Sequence, residues 1–236
     1  MLPPKLSPQL ALDLGLDDSA SFTSYYPGPN AEALAAVRAC ALGTGESNLF
    51  LYGDKGLGKT HLLQAACRAA AGEGALAVYL PLADALTWSL QVLEGLETMS
   101  LVAVDDVHLL RQHQDWQVAL FHLFNSVRDA GGRLLFAAQD KPGDLGFSLP
   151  DLVSRLQWGL VLRLQDLDDE EKLAGLCFRA HQRGLELPRE TAQYLLARFP
   201  RDMAYLFDTL DRLDQASLAA QRRLTIPFIR QVLQLS

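Results

Sequence analysis

Cysteine is scarce and dispersed in this sequence. Cys40, Cys67 and Cys177 are odd in number and form no C-x-x-C pair, which argues against a disulfide scaffold or a zinc knuckle and for a reducing cytoplasm. Long apolar runs are missing: no stretch approaches the roughly 20 residues that cross a bilayer. Met1-Leu2-Pro3-Pro4-Lys5 lacks the basic-then-apolar order of a secretory signal, so no membrane partner is expected. Positive charge is in short supply. In 236 residues, 21 Lys+Arg face 28 Asp+Glu, a net charge of -7. Residues 167–236 carry ten of each sign, so the whole acidic excess falls in 1–166. An acidic domain repels a phosphate backbone, and strong autonomous DNA binding is not expected. The five histidines (His61, His108, His113, His122 and His181) show no metal-ligand spacing. There is no internal repeat and no low-complexity tract.

What is present is an ordinary globular composition, 49% hydrophobic and 21% charged, long enough to bury a sizeable core. Residues 1–20 hold prolines at 3, 4 and 8 and then alternating leucines, which reads as an N-terminal arm. Asn30 is placed to cap a helix over 31–42. Strands then alternate with helices: strands at 48–52, 75–80, 101–104, 133–138 and 160–164, helices at 59–71, 84–94 and 115–130. On the last helix Trp116, Leu120, Leu123, Phe124 and Val127 share one side. This alternation predicts an α/β core over 21–166, a parallel sheet flanked by helices. Beyond it the period is helical throughout, at 168–183, 188–199, 202–222 and 225–235. Pro188 suits a first helical position there, and 167–236 reads as a small all-helical unit.

One motif carries specific chemistry. Gly53-Asp54-Lys55-Gly56-Leu57-Gly58-Lys59-Thr60 matches G-x-x-x-x-G-K-[ST] between a strand and a helix. Gly53, Gly56 and Gly58 let the backbone curl so that its N–H groups face phosphate oxygens, and the helix N-terminus adds the positive end of its dipole. Lys59 supplies a point charge to the terminal phosphates, and Thr60 offers a hydroxyl to Mg²⁺. His61 follows in the helix and is counted with the nucleotide-binding residues. Leu101-Val102-Ala103-Val104 ends in Asp105-Asp106. A carboxylate at such a strand end belongs in the Mg²⁺ shell of a nucleotide, the role expected of Asp105. Asp106 stands where many ATPases place a water-activating acid, and its role as a base is left open.

Asp140, after the strand at 133–138, either senses a terminal phosphate or merely begins a turn. Arg155, in Leu152-Val153-Ser154-Arg155-Leu156, reads either as a structural ion-pair partner or as a guanidinium that reaches a neighbouring active site.

Taken together, the residues resemble the AAA+ ATPases of the bacterial replication-initiator group over essentially all of 9–235. Four segments carry the likeness: Gln9-Leu10-Ala11-Leu12-Asp13-Leu14, Phe22 to Asn30, Leu149 to Gly159, and Leu224-Thr225-Ile226-Pro227-Phe228. The resemblance is nearest to regulatory members that inactivate the initiator DnaA. It implies that Gln9, Leu10, Leu12 and Leu14 dock on the sliding clamp, the beta subunit of DNA polymerase III. It implies that Tyr26 approaches adenine and that Arg155 is an arginine finger acting in trans on DnaA. The implied cofactors are ADP or ATP with Mg²⁺. An initiator would continue past Ser236 into a helix-turn-helix domain, so a regulator of initiation is expected, reaching the nucleoid through the clamp. The resemblance places the lid's sensor arginine at Ala204, so that cation is missing, with Arg201 the nearest substitute. ADP is then the expected working state, and an activator of another protein's ATPase is favoured over an efficient ATPase. A self-contained ATPase or loader working in cis is the alternative. Self-association is left open.

Overall fold

The computed structural model describes residues 20–234. The peptide at Gln9, Leu10, Leu12 and Leu14 lies outside them. The chain divides into two compact units. One holds residues 20–25 and 30–165, the other residues 26–29 and 166–234.

In the first unit α1 (Ala31–Leu42) precedes β1 (Asn48–Tyr52), which runs through the glycine-rich turn into α2 (Lys59–Gly72). Then come β2 (Ala77–Pro81), the single-turn α3 (Leu82–Ala85), β3 (Leu101–Asp105), α4 (Gln114–Asp129), β4 (Arg133–Ala138), α5 (Pro150–Gln157) and β5 (Leu160–Arg163). The five strands are parallel in the order β2-β3-β4-β1-β5. Central strands are apolar at nearly every position because helices cover both faces. Side chains alternate between the faces. Phe50, Val102, Val104 and Phe136 pack on one side with Trp116 and Phe124 of α4. Leu49, Leu51, Ala103 and Leu135 pack on the other with Val37 of α1 and Leu62 and Leu63 of α2.

Two expectations need correction here. The helix expected at 84–94 does not form. α3 stops after one turn, and 3₁₀ turns at Leu90–Leu93 and Leu96–Thr98 follow. Local hydroxyls compete with the helix: Thr87 Oγ1 donates to the Asp84 carbonyl at 2.7 Å, and Ser89 Oγ accepts from the Gln91 N–H at 3.3 Å. Gly95, at φ 86°, then turns the chain. Asn30 stands at the N-cap of α1, but its side chain makes no capping bond. It donates to the Gln165 carbonyl at 2.9 Å and accepts from the Gln165 N–H at 2.8 Å, clasping the two ends of this unit.

The second unit is helical: α6 (Asp169–Gln182), α7 (Arg189–Arg198), α8 (Met203–Ala220) and α9 (Ile226–Val232). A reciprocal capping box starts α6, with the Asp168 carboxylate accepting from the Glu171 N–H and Glu171 accepting from the Asp168 N–H, each at 2.8 Å. Pro188 is the N-cap of α7 rather than its first helical residue, at ψ 142°. Ala180, Leu195, Leu210, Leu213, Phe228 and Ile229 form the core. The segment 26–29 belongs to this unit, with the Tyr26 ring 5.8 Å from that of Phe178. Among the described residues no helix is long and apolar enough to cross a membrane.

Candidate functional site

The phosphate loop sits at the C-terminal end of β1. Three of its glycines have left-handed backbones: Gly53 at φ 144°, Gly56 at 87° and Gly58 at 85°. The space is as restrictive as the dihedrals. A Cβ at Gly53 would lie 2.8 Å from the Leu164 carbonyl oxygen, and one at Gly58 would lie 2.7 Å from the Tyr25 ring. The Gly53 N–H donates to the Gln139 carbonyl at 3.1 Å, which ties the loop to the chain leaving β4.

Lys59 opens α2 and is only 7% exposed. Its ammonium donates to the Gly53 carbonyl at 2.6 Å and the Asp54 carbonyl at 2.7 Å, bridging the loop from inside. Burial lowers its pKa from the ordinary 10.5, opposed by the charges of Asp105, Asp106 and Asp54. Thr60 Oγ1 donates to Asp105 Oδ2 at 2.6 Å. Asp105 ends β3 and is buried. The Tyr79 hydroxyl donates to the same Oδ2 at 3.0 Å, and the Asp106 N–H donates to Oδ1 at 2.8 Å. The phenolic pKa of Tyr79 is pushed far up by burial and by that carboxylate.

The donor set fits a phosphate chain with Mg²⁺. A sterically forced glycine cradle surrounds a desolvated ammonium at a helix N-terminus, beside a hydroxyl–carboxylate pair of the kind that binds Mg²⁺ through its water shell. Gly53, Gly56, Gly58, Lys59 and Thr60 would hold the phosphates, and Thr60 and Asp105 would face the metal.

Asp106 takes the left-handed region at φ 56°, one of the few non-glycine residues to do so, as Asp tolerates. Burial raises its pKa above 3.8, and Asp105 adds to the rise, against His108, Lys59 and Lys55. A carboxyl with a raised folded-state pKa costs the fold stability as pH climbs through the interval above 3.8. Asp106→Asn should therefore melt at a higher temperature than the parent at pH 7. The gap should close below pH 3.8. Differential scanning calorimetry across pH 3–8 checks it, and a gap that widens on acidification refutes the assignment.

The other expected residues are distributed around this centre. The His61 ring meets the chain that enters α1. Its Nε2 lies 2.9 Å from the Ser21 carbonyl and 3.3 Å from Ser24 Oγ, anchoring the incoming chain. Asp140 is exposed just beyond β4, two residues from the Leu134–Ala138 core run. Tyr26 belongs to the helical unit. The tyrosine against the loop is Tyr25, which packs on Gly58 and donates to the Leu57 carbonyl at 3.4 Å. Burial pushes its hydroxyl up to about 12. Ala204 is exposed in the first turn of α8. Arg201, the nearest substitute, pairs through Nη1 with Asp169 at 2.7 Å within the helical unit.

Arg155 lies on α5, half-buried, and no ion pair among the described residues involves it. Two aromatic rings hold it instead, Phe121 at 5.9 Å and Trp158 at 5.8 Å from the guanidinium carbon. Two buried amides, which sequence reading missed, fix the ends of α5. Gln117 Oε1 accepts from the Ser148 N–H at 3.0 Å and the Leu149 N–H at 3.2 Å. Asn48 Nδ2 donates to the Arg155 carbonyl at 3.3 Å and also to that of Trp158.

A phosphate loop on the first strand of a five-stranded parallel sheet in this order, an acidic pair ending β3, and a following helical unit define a nucleotide-binding P-loop protein with the AAA+ fold. Residues 16–163 match the family model of the bacterial DnaA ATPase domain, and the chain belongs to that family. Residues 169–233 match the model of the Hda lid domain. Among solved structures, domain III of the Thermotoga maritima replication initiation protein DnaA is 24% identical with a TM-score of 0.77, covering 93% of this chain and 98% of that one. AMPPCP-bound DnaA from Aquifex aeolicus is 26% identical with a TM-score of 0.73, covering 84% of this chain and 66% of that one. The Thermotoga maritima RuvB Holliday junction branch migration motor shares the fold at 15% identity, with a TM-score of 0.64 over 91% of this chain and 73% of that one.

Proposed function

We propose that this chain is a negative regulator of replication initiation that accelerates ATP hydrolysis on DnaA by lending Arg155 in trans. The observation that carries the reading is the state of Arg155: a permanent cation on a short, pinned helix, packed on two rings and in no ion pair among the described residues. A structural arginine on a half-buried helix face is commonly held by an acid. A guanidinium without one remains available to the charge that spreads over the phosphoryl oxygens of a partner's ATP as water attacks phosphorus and the bond to the leaving diphosphate breaks. The Hda-type lid match and the DnaA-type core support DnaA as that partner.

In this reading the chain's own loop holds ADP or ATP with Mg²⁺ through Gly53, Gly56, Gly58, Lys59, Thr60 and Asp105, and the nucleotide is structural. Ala204 in place of a lid cation, with Arg201 tied to Asp169, weighs against efficient hydrolysis in cis. Gln9, Leu10, Leu12 and Leu14 dock on the sliding clamp as an extended peptide, and the loaded clamp raises the local concentration near DnaA. Immobilised clamp should capture the chain, and a Gln9→Ala, Leu10→Ala double variant should lose at least roughly tenfold in capture. With clamp loaded on DNA, the unaltered chain should convert ATP-DnaA to ADP-DnaA, while the double variant needs a much higher concentration. Equal capture of both removes the clamp from the reading, and no conversion by the unaltered chain removes the reading itself.

A further inference from the structure

We infer that Phe121 and Trp158 are positioning residues for Arg155: together they hold its guanidinium without an ion pair among the described residues, ready for a phosphate on another molecule. The inference rests on the trans-acting reading of Arg155 and adds the groups that make it work.

Trp158 is an anomaly on ordinary grounds. It is 52% exposed, although an indole gains much from burial. Its inner edge is nevertheless fixed. Trp158 lies 6.4 Å from Phe124, Phe124 stacks on Phe136 at 6.1 Å, and Phe136 lies 6.4 Å from Phe50 on β1. A chain of rings thus runs from the middle of the sheet to the surface and ends under Arg155. Phe121, one helical turn before Phe124's successor on α4, supplies the second ring at 5.9 Å. The backbone is held equally firmly. The Trp158 N–H and Asn48 Nδ2 both donate to the Arg155 carbonyl, at 3.1 and 3.3 Å. Gly159 follows at φ 94°, where a Cβ would collide with the Asn48 carbonyl.

The chemistry explains why rings rather than an acid do this. A carboxylate would hold Arg155 more tightly, but it would neutralise the charge and occupy the N–H fork that must face phosphate. A ring face attracts the cation through its quadrupole and leaves all five N–H donors unused. The neighbouring cation shows the contrast. Arg128 also lies over Trp158, at 5.2 Å, but its Nη2 is spent on Asp129 at 2.7 Å.

The test measures DnaA ATP hydrolysis, with clamp loaded on DNA, as a function of the concentration of this chain. Phe121→Leu and Trp158→Leu should each lower the maximal rate about two- to fivefold. The half-saturating concentration and the chain's own nucleotide affinity should stay unchanged. Phe121→Tyr and Trp158→Phe keep a ring face and should restore most of the rate, which a purely volumetric role does not explain. Should a leucine variant melt early, Phe121→Met fills the gap with an unbranched side chain and no ring, and should show the same loss. Leucine variants that match the parent while Arg155→Ala is inactive overturn the inference and leave the trans reading standing. A change confined to half-saturation also overturns it, because the rings then serve docking. Full activity of Arg155→Ala overturns the trans reading itself.

Discussion

Lys59→Met should cost the chain its nucleotide while leaving the fold intact. The side chain is nearly isosteric, so the 7%-exposed position stays filled. What disappears is the buried cation of the phosphate loop; Lys55, the loop's other cation, is exposed. Breaking a buried, partnered charge costs about 3–5 kcal/mol, a loss of affinity on the order of a hundred- to several-thousandfold. The readout is the stabilisation given by ADP or ATP. At a hundredfold excess over the parent's dissociation constant, nucleotide adds about 2.7 kcal/mol to the parent, and a hundredfold weaker variant keeps only about 0.4 kcal/mol. The nucleotide-free comparison has its own sign. Burial lowers the Lys59 pKa below 10.5, so the unfolded parent binds more protons than the folded one in that interval, and the parent gains stability as pH rises toward 10.5. The methionine variant has no such gain. Calorimetry with and without nucleotide separates the two effects, and a variant that keeps the parent's nucleotide-induced shift refutes Lys59 as the phosphate cation.

The parts of this site that sequence discloses are those whose chemistry is local. Gly53 to Thr60 are contiguous, because one loop must supply successive N–H groups, a cation and a hydroxyl to one phosphate chain. Asp105 is legible because four apolar residues ending in acid are a recognisable buried strand with a wet end. Long-range partnerships leave no such trace. Asn48 looks like the polar first residue of a strand, yet its amide holds carbonyls 107 and 110 residues away. Gln117 looks like a helix surface residue on α4. It is 0% exposed, with Nε2 donating to the Leu110 carbonyl at 2.8 Å and Oε1 accepting at Ser148 and Leu149. Asn30 was legible as a cap by position and misread in its bonding, since a residue 135 positions distant outcompeted its own helix. The broken segment at 84–94 fails for the opposite reason: its apolar spacing suits a helix, but Thr87 and Ser89 satisfy the backbone locally and Gly95 ends the run.

Arg155→Ala should abolish stimulation of DnaA and little else. Fingers supplied in trans contribute on the order of 10³–10⁵ in rate, so hydrolysis should fall to the unstimulated level. Three observations predict that the rest of the molecule will not notice. α5 is anchored by the buried Leu152 and Leu156, not by Arg155. Its two ends are fixed by backbone groups of Ser148, Leu149, Arg155 and Trp158, which an alanine retains. No ion pair among the described residues is lost, so the destabilisation should stay within about 1–2 kcal/mol, the value of two ring contacts. Nucleotide affinity should also be unchanged, because the two functions sit at opposite ends of one strand. Asn48 begins β1 under the Arg155 helix, and Tyr52 ends it at the phosphate loop, about 13 Å away over four extended steps. Arg155→Lys sharpens the test. Lysine keeps the charge but has neither the planar fork nor the same affinity for the two rings, so it should recover only a small fraction of the stimulation. Near-full activity of the lysine variant would mean that any cation suffices at this position, and near-full activity of the alanine variant would move the catalytic charge to another residue altogether.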